Sequence, residues 1–286
     1  MSVNVTTSFV EQYSANVQML SQQMGSQLRG AVDVESIKGK NAFFEQIGKV
    51  TAQLRTSRHG STPQIDTPHS RRRLNTATYE WADLIDDADK IRMLIDPTSS
   101  YAKAAAAAMG RAMDTVIITA ALGTAYTGVS GGTSTALPSG QKIAHGSAGL
   151  TVAKLLSAKK ILDENDVDPT VKRFCVVSPE QVEDLLNTTE VKSSDYNTVK
   201  ALAMGDINSF LGFNFITSNL LTENATPDRQ VIAFASDGIK LGIGKDITAK
   251  ISERDDKSYS TQVYYSMDLG ATRMEEEKVV EIACEE

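Results

Sequence analysis

A run of small residues between positions 97 and 123 places the strongest constraint on the fold. The segment PTSSYAKAAAAAMGRAMDTVIITAALG follows Asp96 and contains only three charged residues, Lys103, Arg111 and Asp114. Asp caps helices, Pro suits the first helical turn, and Ala is the best helix former. A helix of about 25 residues is a rod of about 38 Å. Because it is small or apolar on nearly every side, we predict a central strut with neighbouring elements packed closely around it.

Helical and strand patterns are mixed along the rest of the chain. Amphipathic spacing predicts helices at 8–28 and 151–162, and a short helix from Pro179. Apolar or alternating runs predict strands, including ATYEWADLID at 77–86, RFCVV at 173–177, RQVIAFA at 229–235 and segments after residue 246. Since the order is not a regular βαβα alternation, the predicted class is α+β.

The polar stretch at residues 53–81 is long for a compact domain. Loops beyond about 12–15 residues are uncommon there unless they have a function or are disordered. It separates an extended segment at 31–54 from the strand predicted at 77–86, so we predict an extended hairpin with a polar tip. The segment 124–149 is rich in Gly, Ser and Thr and predicts an irregular loop.

Composition and charge exclude several classes of protein. The chain is 41% hydrophobic with a net charge of −7, so it can bury a core but would repel nucleic acid. We expect no signal peptide and no transmembrane helix, because no apolar run approaches about 18 residues. Cys175 and Cys284 lie in apolar contexts, which favours buried thiols, with a disulfide between them left open.

Motifs for catalysis or metal binding are weak. Ser130 lies in GVSGG, which matches GxSxG, but a nucleophile elbow needs a strand before the serine and a helix after it. His59, His69 and His145 lack cysteine or acidic partners at metal-ligand spacing. A serine hydrolase using Ser130 is therefore only a remote alternative. We expect no cofactor, no metal and no enzyme activity.

Charge is distributed unevenly along the chain. Residues 50–79 carry five arginines and one aspartate, residues 80–89 carry five carboxylates, and residues 275–286 carry six glutamates and one lysine. Because the arginine fork pairs carboxylates bidentately, we predict that a basic projection docks on the acidic body of another copy. The alternative is a solvated loop without a contact role. The basic candidates are Arg55, Arg58, Arg71, Arg72 and Arg73, and the acidic candidates are Asp83, Asp86, Asp87, Glu275, Glu276 and Glu277.

The order of these parts resembles the major capsid proteins of tailed bacteriophages, which have the Hong Kong 97-type fold. NAFFEQIGKV at 41–50, YAKAAAAAMGRAMD at 101–114 and the segment 246–282 carry the resemblance, which covers essentially the whole chain. It implies the following parts: an N-terminal arm at 1–35, an E-loop region at 36–90, a peripheral domain at 91–150 and 230–286 with its spine helix at 97–123, and an axial domain at 151–229.

The resemblance also implies a function. The expected protein is a structural subunit that self-assembles, through pentamers and hexamers, into an icosahedral shell enclosing double-stranded DNA without sequence-specific binding. It would be made in the host cytoplasm and reside in the virion, with a separate scaffolding protein and a portal as partners and a decoration protein left open. No lysine lies between Lys49 and Lys90, so noncovalent contacts are expected instead of cross-links from an E-loop lysine. An encapsulin-like bacterial compartment stays open as the alternative.

Overall fold

The computed structural model describes residues 21–85, 98–187, 209–223 and 228–286. The helices in these ranges are α1 (Thr98–Leu122), α2 (Val152–Glu164) and α3 (Pro179–Asn187). The strands are β1 (Asp33–Ser36), β2 (Asn41–Ile47), β3 (His69–Asn75), β4 (Ala77–Ile85), β5 (Ala125–Thr127), β6 (Thr133–Thr135), β7 (Lys142–Ile143), β8 (Arg173–Val177), β9 (Ser209–Phe210), β10 (Phe213–Thr217), β11 (Asp228–Ala235), β12 (Ile239–Arg254), β13 (Ser260–Arg273) and β14 (Val279–Glu285).

The strands form three sheets. One has the order β1-β12-β13-β4, the second β7-β14-β11-β8-β10-β9, and the third β2-β3-β5-β6. The mixture of separate sheets and few helices confirms the predicted α+β class. The predicted helices at 151–162 and from Pro179, and the strand at 173–177, are also confirmed.

Helix α1 (Thr98–Leu122) is the central strut, and it lies within the predicted span of 97–123. Met113, Ile117, Ile118 and Ala121 are buried in a core shared with strands β11, β12 and β13. By length and composition alone Tyr101–Leu122 would suit a membrane span, but half of that segment is buried inside the protein. Its apolar composition is therefore explained by packing on several sides, as the small residues predicted.

The six-stranded sheet separates two hydrophobic cores. On β11, Val231, Ala233 and Ala235 face the core beneath α2, whereas Ile232 and Phe234 face the core around α1. Burial on both faces accounts for the nearly continuous apolar sequence of this strand. The sheet also joins β8 and β10 from the predicted axial segment to β14 from the predicted peripheral segment. The predicted boundary between the two segments therefore runs through one sheet.

A hairpin exists where the sequence predicted one, but its second strand was predicted wrongly. β2 pairs with β3 in antiparallel register from Asn41–Asn75 to Ile47–His69, and residues 48–68 connect them. The segment predicted as the second strand forms β4, which pairs with β13 instead. Tyr79 and Trp81 on β4 pack against the α1 core, which draws this strand away from the hairpin.

Two further predictions need correction. The segment 124–149 is not wholly irregular, because it contains β5 and β6, which extend the hairpin sheet, and β7, which pairs with β14. The helix predicted at 8–28 lies mostly outside the described residues, and its described part, 21–28, is not helical. That part instead lies along α1, held by buried Asp114, which accepts hydrogen bonds from the backbone of Gln27 and Leu28.

Candidate assembly surface

The base of the hairpin (residues 41–75) is attached to the body by a buried ion pair. Arg72 is only 6% exposed, and its Nη2 lies 2.6 Å from Oε1 of Glu276. Its Nε donates to the carbonyl of Met274 at 2.8 Å, and Gln46 on β2 donates to the same carbonyl at 2.7 Å. The structure thus brings two predicted docking residues, Arg72 and Glu276, together within one chain.

A second buried arginine, which the sequence analysis did not single out, completes this attachment. Arg273 is fully buried and donates through Nη1 to the carbonyls of Ala121 and Gly123, both at 2.8 Å, at the C-terminal end of α1. A cation is favoured there by the helix dipole. Burial lowers the pKa of Arg273, although the nearby carboxylate of Glu276 opposes that effect. The sequence signal that could have identified Arg273 is an arginine within an apolar strand, three residues before a glutamate.

Arg71 and Arg73 lie on the other face of β3. Arg71 forms an ion pair with Glu45 on β2, and its guanidinium lies 5.5 Å from the centre of the Phe43 ring. The guanidinium of Arg73 lies 4.8 Å from the centre of the Tyr126 ring on β5. Both rings are about two-fifths exposed, at 41% for Phe43 and 39% for Tyr126. This outer face is therefore aromatic, cationic and open to solvent.

The loop 48–68 is exposed at every residue. It contains Arg55 and Arg58, and the Nε of Arg55 donates to the carbonyl of Ser57 at 3.0 Å. Its apolar side chains are also left in water, with Leu54 89% exposed. Lys49 at its start lies 2.8 Å from Asp166 after α2, and this hydrogen bond raises the pKa of Lys49. The part of the chain that the structure describes thus does not bury the loop.

The predicted acidic residues fall at different places. Asp83 lies on β4, where its carboxylate accepts a hydrogen bond from the backbone of Leu84, while Asp86 and Asp87 lie outside the described residues. Glu275 lies 3.2 Å from Lys278, and Glu277 is exposed. A cleft of about 500 Å³ opens between the hairpin base and the end of α2, lined by the acidic side chains Glu164, Glu275, Glu276 and Glu277.

The candidate chemical groups do not form a catalytic arrangement. Ser130 is exposed in the turn between β5 and β6, so the strand-to-helix context of a nucleophile elbow is missing. Within the described ranges, no group of three or more His, Cys, Asp and Glu could hold a metal ion. Cys175 and Cys284 are free and buried, so the disulfide left open is not formed, and burial raises the pKa of Cys284 to about 12.

Comparison with known proteins gives a consistent result. A family model described as phage capsid protein matches residues 5–286, whereas no curated protein sequence matches. The capsid structure of the cyanophage P-SCSP1u is similar with a TM-score of 0.77 and 19% identity, over 99% of this chain and 95% of that chain. A Mycobacterium phage Che8 structure has a TM-score of 0.71 and 19% identity, over 96% and 97%. The capsid of a native GTA particle has a TM-score of 0.73 and 11% identity, over the full length of both chains.

Proposed function

Because the chain belongs to the phage capsid protein family, it is a structural subunit of a phage shell, and we propose that its hairpin joins neighbouring subunits without covalent cross-links. The family match and the fold confirm the prediction of a tailed-phage major capsid protein. The observation that carries the proposal is the loop 48–68, which is exposed at every residue although its base is fixed by Arg72 and Glu276. A fixed base with an unburied tip is suited to reaching another subunit.

We propose the roles of the remaining parts of the chain from the same resemblance to phage capsid proteins. Residues 36–90 are the E-loop region, residues 1–35 the N-terminal arm, and α1 the spine helix. The peripheral and axial domains share the six-stranded sheet, so we propose that they move together as one body. This proposal is supported by the two cores that pack on opposite faces of that sheet.

The proposed partners follow from the role in the shell. The subunit would act with a separate scaffolding protein and a portal, and enclose double-stranded DNA without sequence-specific contacts. It would be made in the host cytoplasm and have no enzymatic activity. Its charge of −7 supports weak contact with packed DNA, because an acidic wall repels phosphates. The family does not favour an encapsulin-like compartment or a hydrolase that uses Ser130.

Removing the loop tests the role of the hairpin. The backbone N–H of Gly48 donates to the carbonyl of Pro68 at 2.8 Å, so the loop can be replaced by a short Asn-Gly turn without pulling β2 from β3. The full chain and the shortened chain are expressed alone and with a phage scaffolding protein, and particles are imaged by negative stain. We expect shells from the full chain, and a folded subunit that forms no shells from the shortened chain. Shells from the shortened chain would refute the role of the loop, and none from the full chain under either condition would refute assembly.

A further inference from the structure

We propose that the outer face of the sheet β2-β3-β5-β6, centred on Arg73, binds a carboxylate of a neighbouring copy of this chain. This inference rests on the proposed function and goes beyond it, because it assigns the contact to one face of the sheet and to one arginine among the five candidates. The loop arginines, Arg55 and Arg58, are not required for it.

Three side chains define the centre of this face. Phe43 lies directly opposite Arg73 across β2 and β3, and Arg73 lies directly opposite Tyr126 across β3 and β5. Residues paired in this way point to the same side of a sheet. Ile47 on β2 is exposed on the same face, and Val129 is exposed in the turn beside it, where its carbonyl accepts a hydrogen bond from Nη1 of Arg71. Aromatic and arginine side chains are the types enriched at the centres of protein interfaces.

Arg73 differs from its two neighbours in having no anionic partner. Arg72 binds Glu276 and Arg71 binds Glu45, but the side chain of Arg73 makes neither an ion pair nor a hydrogen bond with any residue that the structure describes. Its Nε is buried and without a hydrogen-bond partner. This buried Nε is out of reach of another chain, and Nη1 of Arg72 and Nε of Arg273 are buried without a partner in the same way. The terminal nitrogens of Arg73 also lack a hydrogen bond but are not buried, so they are the donors that a carboxylate of another copy can reach.

The side chain of Arg73 is also held in position before any partner arrives. Tyr126 stacks on the guanidinium, and Gly131 in the turn between β5 and β6 lies against its aliphatic part. A Cβ at Gly131 would lie 2.6 Å from Cβ and Cδ of Arg73, and the φ of Gly131 is +65°, so a glycine is needed at this point. Holding the side chain in advance lowers the entropy lost when a carboxylate binds.

Charge identifies the partner as a second copy. The hairpin (residues 41–75) carries six Lys and Arg and two Asp and Glu, hence +4. The whole chain carries −7, so the remaining residues carry −11. A basic hairpin on an acidic body is complementary to the body of the next copy, where exposed carboxylates such as Glu277 are available.

A charge reversal tests the proposal against a matched control. Arg73→Glu and Arg58→Glu change the net charge equally within the same hairpin, but only the first removes the stacked guanidinium. We expect Arg73→Glu to raise the protein concentration needed for shell formation by about tenfold or more, which corresponds to about 1.4 kcal/mol per contact. We expect Arg58→Glu to change it less than threefold. Equal effects of the two variants would overturn the assignment to Arg73, and unaltered assembly of Arg73→Glu would do the same.

Cross-linking provides a readout that does not depend on the folding of the Arg73 variants. A photoreactive benzoylphenylalanine replaces Val129, which is exposed at the edge of this face. Irradiated shells are expected to give a covalent dimer whose second site lies on an acidic segment of the neighbouring copy. No dimer from well-formed shells, or a cross-link only to a different protein, would refute the proposal while leaving the proposed shell function intact.

Discussion

At the scale of single residues, Glu276 supplies the carboxylate that lies between two buried guanidinium groups, those of Arg72 and Arg273. Removing one partner from a buried ion pair costs about 3–5 kcal/mol, since the remaining charge stays in a poorly solvated place. We therefore expect Glu276→Gln to lower the free energy of unfolding by that amount. Glu277→Gln is the control, because its exposed side chain should contribute less than about 0.5 kcal/mol. Urea unfolding followed through Trp81, the single tryptophan, measures both, and equal values would contradict the prediction.

Lys154 is a buried cation that joins two segments of backbone through three carbonyl groups. Its Nζ donates to the carbonyls of Ala148, Gly149 and Ala283 at 2.6, 2.9 and 2.9 Å. Lys154→Met keeps the aliphatic part and removes the donors, so we expect a loss of about 1–3 kcal/mol in unfolding free energy. Lys160→Met, on the exposed side of the same helix, should have almost no effect. A similar result for the two variants in thermal unfolding would show that the three carbonyls do not depend on Lys154.

Glu286 should make the stability of the subunit depend on pH. Burial of its carboxyl opposes ionisation, but hydrogen bonds from Arg229, Ser178 and Gln181 outweigh it and lower the pKa below 4.5. A lowered pKa stabilises the folded state above the unfolded pKa and loses that contribution as the pH falls through the folded pKa. Unfolding free energy should therefore fall from about pH 5 downward, and less steeply in Glu286→Gln. Parallel pH profiles for the variant and the wild type would contradict this.

At the scale of elements, the contact between α1 and residues 21–32 depends on a glycine. A Cβ at Gly110 would lie 2.3–2.7 Å from backbone atoms of Gly25, so Gly110→Ala must displace the segment. The substitution improves helix propensity by about 1 kcal/mol, which would stabilise the protein if the segment were not docked. We expect the displacement to dominate, with faster amide hydrogen exchange in residues 22–32. Ala106→Gly, on the exposed side of α1, is the control, because it weakens the helix but should leave exchange in residues 22–32 unchanged.

Local elements could be predicted from the sequence where one face of the pattern was apolar. α2 and α3 show it in their spacing, and β8 shows it as a short apolar run. α1 was predicted instead from its small residues and its high alanine content. β3 was missed because its inward-facing residues are Arg72 and Leu74, so the sequence HSRRRLN has no apolar alternation although it is half buried. Arg72 is tolerated there only because Glu276, 204 residues later, lies beside it. A partner so distant in sequence cannot be found from local patterns, and this is also why the second strand of the hairpin was assigned wrongly.

The candidate contact residues, too, could not be distinguished from one another by their local sequence. Five arginines look alike in the sequence, but the structure divides them by their surroundings. Arg72 forms an ion pair with a carboxylate of its own chain, and Arg71 forms one with Glu45. Arg73 stacks on an aromatic ring, while Arg55 and Arg58 lie in the exposed loop. The acidic clusters predicted as docking sites likewise include Glu276, which is occupied within the chain. Charge counting alone therefore could not separate the residues that already have a partner within the chain from those that do not.

At the scale of the whole molecule, two opposed electrostatic effects should give assembly an optimum in salt concentration. Copies with a net charge of −7 repel one another at long range, whereas the hairpin, at +4, attracts an acidic body at contact distance. The Debye length is about 30 Å at 0.01 M, about 10 Å at 0.1 M and about 3 Å at 1 M salt. Repulsion between subunit centres is therefore screened first, near 0.1 M, while charge pairs in contact weaken only at higher salt.

We expect the yield of shells, measured by sedimentation, to rise between 0.01 and about 0.1 M NaCl and to fall towards about 1 M. The double variant Arg55→Gln and Arg58→Gln carries two fewer positive charges, so it should assemble less well at low salt, where repulsion is stronger. If the loop charges make contacts, the double variant should also lose the decline at high salt; if Arg73 carries the contact, the decline should remain. A yield that rises steadily up to 1 M would contradict the electrostatic account altogether, because apolar contacts alone are not weakened by salt.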